Sequence, residues 1–154
     1  MKRLMFAIVC AALAVSGALK AQGLPWYEVP VVPGFAGPYT CVTAPVGLAG
    51  ATITCDFGKL SPLPPDAQAF LLAHEHGHVF QFKHGLQFAS NPEADADCYA
   101  ATVMATSNAQ SLASAVSWLE NVLGNGGGDM LHGTGKQVAA FARQCAAKAG
   151  VAIP

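Results

Sequence analysis

Hydrophobic and polar positions divide the chain into zones of different period. An apolar run from Leu4 to Val15 follows Lys2 and Arg3 and gives way to small residues at Ser16, Gly17, Ala18 and Ala21. That layout is a secretory signal cleaved after Ala21, and the run falls well short of the roughly twenty apolar residues a spanning helix needs. Gln22 to Pro38 holds Pro25, Pro30, Pro33 and Pro38 with three glycines, which predicts an extended leader without regular structure. From Tyr39 to Thr43 and again from Ala51 to Phe57 the side chains alternate, with β-branched residues on both sides of Pro45, Gly47 and Gly50. A β-hairpin is expected there.

Beyond Pro65 the period changes to that of helices. Asp66 can cap a helix through Ala69, Phe70, Ala73, Val79 and Phe80 to about Lys83, with a stop near Gly85. A second helix opens at Ser90 or Asn91, with Pro92 at its first position, and continues past Tyr99 to Met104. Leu112, Val116, Leu119 and Val122 recur at helical spacing in a third stretch, about Ala109 to Leu123. Gly124 to Gly135 is a glycine loop carrying Asp129 and His132, and Thr134 starts a last helix with Val138, Phe141 and Cys145. The sum is an α+β, mainly helical domain over 39–154, in which a small hairpin or sheet packs on helices.

Charge and cysteine narrow the class. The 154 residues are 53% hydrophobic and 11% charged, with a net charge of -1. Three of the eight basic residues, Lys2, Arg3 and Lys20, lie in the signal, which leaves five against nine acids. No basic footprint for nucleic acid remains, and no membrane span is expected after signal removal. Loss of Cys10 with the signal leaves Cys41, Cys55, Cys98 and Cys145. An even count in a secreted or periplasmic chain predicts disulfides. Of the three pairings, Cys41 with Cys55 across the hairpin and Cys98 with Cys145 between two helices are favoured.

The chemistry sits in the first helix. His74, Glu75, His76, Gly77 and His78 spell H-E-x-x-H, which chance places roughly once in 250 chains of this composition. Four helical residues turn about 400°, so His74 and His78 leave one face one turn apart, close enough to share one Zn²⁺. Glu75, about 100° away, can reach a metal-bound water as general base. A zinc hydrolase takes three protein ligands. Glu93 can be the third, and Asp97, one turn later on the same face, can hold a ligand imidazole by its second nitrogen. Asp95 faces solvent. His84 competes for the third position, but Gln81 stands where a glycine would have to break the helix. Glu93 is therefore preferred, while His84 is read as a helix-terminal cation or solvated residue and His76 is given no role at the metal.

His74-Glu75-His76-Gly77-His78-Val79-Phe80-Gln81, with Glu93-Ala94-Asp95-Ala96-Asp97-Cys98-Tyr99-Ala100, resembles the gluzincin zinc metallopeptidases. It is similar in particular to the bacterial neutral zinc metallopeptidases with H-E-x-G-H-x-x-Q and E-x-x-A-D-C-x-A, and more distantly to the CAAX prenyl protease-like group. The resemblance spans Ala73 to Ala100 and implies a minimal zincin-like scaffold: a short sheet on the H-E-x-x-H helix, a glutamate helix and two further helices. It implies His74, His78 and Glu93 as ligands of one Zn²⁺, Glu75 as base, Asp97 behind the ligands, and Gly77 as a point of close approach. A later histidine or arginine near the oxyanion is also implied, for which His132 is the candidate. Tyr39 and Tyr99 are further candidates for that role, and strand Ala51 to Phe57 for an edge along which a peptide lies. The expectation is a secreted zinc metalloendopeptidase acting on peptides or proteins. A non-catalytic zinc-binding protein and a zinc amidase acting on the cell wall are the alternatives; the retained Glu75 argues against the first.

Overall fold

Val31–Pro33 (β1), Cys41–Val46 (β2) and Gly50–Cys55 (β3) form one sheet in the order β1-β3-β2. The computed structural model describes residues 29–46, 50–86, 90–126 and 133–154. The signal with Cys10, the start of the leader at Gln22, and the loop residues Asp129 and His132 lie outside them. β2 and β3 are the expected antiparallel hairpin, longer on its first strand and shorter on its second, with Cys41 opposite Cys55 and Thr43 opposite Ile53. The first difference from expectation is β1. Leader residues Val31, Val32 and Pro33 run parallel to Ile53, Thr54 and Cys55, because β3 has a second edge to satisfy and Pro33 at a sheet margin costs no ladder bond inside the sheet. β3 is therefore the central strand, paired along its length with β2 and at Ile53–Cys55 with β1, and among the described residues β2 and β1 are the outer strands.

Asp56 ends β3 and accepts the Gly58 N–H to cap the short helix α1, Phe57–Leu60. The helix α2, Pro65–His84, follows. Pro64 rather than Asp66 occupies its cap position, without a side-chain bond; Asp66 lies in the first turn, where an acid suits the helix dipole, and takes a hydrogen bond from Ser111. Gly85, left-handed at φ 68°, closes the helix as expected.

The helix α3, Pro92–Trp118, joins the two helices expected in this stretch. Asn91 caps it by accepting the Ala94 N–H. At Asn108 the backbone leaves helical geometry, with φ -156° and ψ 88°, and the Asn108 side chain accepts the Ser111 N–H to restart the helix. The two expected segments are thus real, but nearly continuous across one capped kink. A π-helical turn, Leu119–Leu123, leads to α4, Gly135–Lys148, which opens on a Thr134–Gln137 capping box.

α2 is the centre of the molecule. Leu72 and Val79 face the sheet with Ile53, Cys55 and Leu60, while Phe70 and Ala73 pack with Ala100, Met104, Leu112, Val116 and Ala142 from α3 and α4. The second cluster is built largely of alanine, which lets the helices approach closely. Both disulfides form as expected. Cys41–Cys55 crosses the hairpin between directly opposed residues, and Cys98–Cys145 joins α3 to α4. No helix among the described residues is long and apolar enough to cross a membrane.

Candidate metal centre

The site lies where α2 meets the first turns of α3. Gly77 sets that distance: a Cβ there would stand 2.8 Å from Ala96 Cα and 3.1 Å from Ala96 Cβ, closer than such atoms come, so the two backbones touch only because position 77 has no side chain. One turn of α2 presents His74 and His78 to the first turn of α3, from which Glu93 projects.

Three ligand atoms converge. His74 Nε2 lies 3.0 Å from His78 Nε2, and Glu93 Oε2 lies 3.2 Å from the first and 3.1 Å from the second. Among the described residues this is the group of His, Cys, Asp and Glu that could hold a metal ion. Four tetrahedral ligands on bonds of roughly 2.0–2.2 Å stand roughly 3.3–3.6 Å apart, so the observed triangle needs an expansion of a few tenths of an ångström to take a divalent ion. A lone carboxylate between two imidazoles is a donor set suited to such an ion.

The surrounding groups hold this triangle. Asp97 Oδ1 accepts from His74 Nδ1 at 2.8 Å, as expected, and Asp97 is buried. Gln81 Oε1 is 2.9 Å from His78 Nδ1, and Gln81 Nε2 donates to the Pro92 carbonyl at 2.6 Å. Glu75 is buried beside the ligands and accepts from Thr43 Oγ1 of β2 at 2.6 Å; the same hydroxyl lies 3.0 Å from the Glu75 carbonyl. Reading α2 as a helix found Glu75, but neither Thr43 nor the part played by Gln81. Gln81 had a local signal, since i+3 from His78 places it on the same face. Thr43 had none, because its contact is made 32 residues away in sequence.

Burial by itself would lower the His74 pKa, yet hydrogen bonds to Asp97 and Glu93 and the charges of Asp97 and Glu75 override it, raising the value to about 10. Three carboxylates around one imidazole demand a cation, and a proton or a metal can answer. His76 is different. It is buried on another face of α2, and desolvation lowers its pKa to about 4, so it stays neutral in ordinary buffers.

Other expected positions fall outside the cluster. His84 is exposed at the end of α2 with its ring 4.2 Å from that of Phe80, as the unbroken helix requires. Tyr99 sets its ring 5.7 Å from Phe80, which lies about 200° round α2 from His78. Tyr39 stands exposed in the turn before β2. Neither tyrosine is brought to the ligands by these contacts. Asp95 is exposed, as expected. Comparisons with protein-family models, curated proteins and solved structures gave no significant match.

Proposed function

We propose that this protein is a zinc-dependent metallopeptidase of the gluzincin type on a minimal zincin-like scaffold, exported to an oxidising compartment. The observation that carries the reading is the triangle of His74 Nε2, His78 Nε2 and Glu93 Oε2 with Glu75 one residue along the same helix. Two imidazoles and one carboxylate are a ligand set of catalytic zinc, which keeps a fourth position open. The paired disulfides support the compartment.

Zinc held by these residues supplies Lewis acidity, polarising a scissile carbonyl and bringing the pKa of water towards about 7. Glu75 takes the water proton and later passes it to the leaving amine. Thr43 holds the Glu75 carboxylate in place through its hydroxyl. The free edge of β2, the strand that carries Thr43, offers main-chain groups to an extended peptide. It is preferred to β3, which lies between β1 and β2.

A pure zinc carrier has no need of a buried carboxylate held beside its ligands. The deciding experiment is Glu75→Gln: turnover of a peptide substrate should vanish while one zinc per chain stays bound, and retained peptidase activity in that variant sinks the assignment. Parallel digests of peptide and of peptidoglycan, with and without a chelator, separate a peptidase from a cell-wall amidase and from a binding protein.

A further inference from the structure

Resting on the reading of His74, His78 and Glu93 as a metal site, we infer that Gln81 is the positioning residue that sets the tautomer of His78 and clamps the glutamate helix to the histidine helix. The Pro92 carbonyl has no proton to give, so across the 2.6 Å to Gln81 Nε2 it can only accept. This fixes the amide: its NH₂ points at Pro92 and its Oε1 at His78. Oε1 also can only accept, so His78 Nδ1, 2.9 Å away, must carry a hydrogen. In the neutral ring Nε2 then keeps its lone pair, and Nε2 is the atom 3.0 Å from His74 Nε2 and 3.1 Å from Glu93 Oε2. The fixed point of the relay is a main-chain carbonyl, which neither titrates nor flips.

The same side chain ties the ligands to one another. Pro92 begins α3 and Glu93 follows it, so holding the Pro92 carbonyl holds the third ligand at its distance from α2. Gln81 is itself immobilised, being buried in the last turn of α2, with its carbonyl accepting from Leu86 in the helix-ending motif. The chemistry also explains why an amide stands there. An imidazole N–H would accept Glu or Gln equally, as Asp97 shows for His74, but only the amide can donate to Pro92. Asp97 and Gln81 are thus a matched pair, one imidazole each: Asp97 reaches His74 from α3, and Gln81 holds His78 while tying α2 to the start of α3.

The test compares wild type, Gln81→Met and Gln81→Glu, with Zn²⁺ affinity read by competition against a chromophoric chelator. Long-range ¹H–¹⁵N spectra of the zinc-loaded imidazoles supply a second readout. The wild type should show a slowly exchanging His78 Nδ1 proton. Q81M should lose that protection and bind zinc about 10- to 100-fold more weakly, the usual loss when a partner behind a metal ligand is removed. Q81E should keep the protected proton, since its carboxylate still accepts it, yet lose affinity because nothing donates to Pro92. Unchanged affinity in Q81M, or in Q81E should Q81M fail to fold, overturns the inference while leaving the metal site standing. A wild-type chain that takes up no zinc overturns the metal reading and this one with it.

Discussion

At the scale of single residues, two histidines two positions apart respond to pH in opposite directions. His74, raised to about 10 when no metal is bound, keeps a proton that the unfolded chain loses above 6.5. Its contribution to stability is complete below pH 6.5 and fades as pH rises through about 10. A metal must displace that proton, so zinc affinity should climb by up to about tenfold per pH unit between pH 6 and 8. Calorimetry in buffers of different ionisation enthalpy should find a proton released on binding, and a pH-independent affinity would contradict the His74–Asp97 pairing as described. His76, lowered to about 4 by burial, refuses a proton that the unfolded chain takes up below 6.5. Stability should therefore fall as pH drops from 6.5 to 4, by up to about 3 kcal/mol from this group. Urea unfolding at pH 7 and pH 5 should show a smaller difference in His76→Leu than in wild type. Under the proposed peptidase mechanism, Thr43 acts on rate instead. Removing one hydrogen bond to a buried carboxylate costs about 1.5–3 kcal/mol, so Thr43→Val should lower kcat about ten- to hundredfold with bound zinc unchanged, and Thr43→Ser should recover most of it. Equal kcat in T43V and wild type would remove Thr43 from the catalytic apparatus.

At the scale of elements, the decisive contact is α2 against α3 at Gly77 and Ala96. A methyl at position 77 has backbone in its way, so Gly77→Ala should push the helices apart. Overpacking of this kind costs about 1–3 kcal/mol, and it should also draw Glu93 away from the two imidazoles. Urea denaturation and zinc titration of G77A test both effects; loss of stability with affinity intact would mean that Glu93 follows the histidines by itself. This interface also marks how far the sequence could be read. The H-E-x-x-H helix, a cap at Ser90 or Asn91 and the Glu93–Asp97 pair were legible because helical geometry fixes relations within four residues, whereas the close approach at Gly77 came only from the family resemblance. The parallel pairing of β1 with β3 was not legible, since a three-residue strand ending in a proline has no period and parallel partners are set by the rest of the fold. For the same reason the central place of β3 was missed, and with it the strand whose edge is free.

For the whole molecule, the question is what holds a chain whose larger core cluster is mostly alanine. Alanine buries little area per residue, so the clusters around Phe70, Leu112 and Val116 and around Ile53 and Val79 leave a modest hydrophobic reserve. Cross-links make up the difference. Cys41–Cys55 closes a separation of 14 residues and Cys98–Cys145 one of 47, worth about 3 and about 4 kcal/mol in the chain-entropy view. The larger of them is anchored one residue beyond Asp97, so the same tie that joins α4 to α3 steadies the residue behind His74. A metal adds to this, since binding only to the folded chain contributes about 4 kcal/mol at a thousandfold excess over Kd. Staples and metal should therefore substitute for each other. The zinc-loaded protein in a reductant that does not bind zinc, and the oxidised protein in chelator, should each unfold cooperatively at a lowered temperature. Reductant and chelator together should abolish the native near-ultraviolet dichroism at 37 °C. Replacing Cys98 and Cys145 by alanine should reproduce the effect of reductant more fully than replacing Cys41 and Cys55, and should weaken zinc binding more, because Cys98 adjoins Asp97, which holds His74. Equal zinc affinity in the two double variants would show that the α3–α4 tie supports the fold without supporting the site.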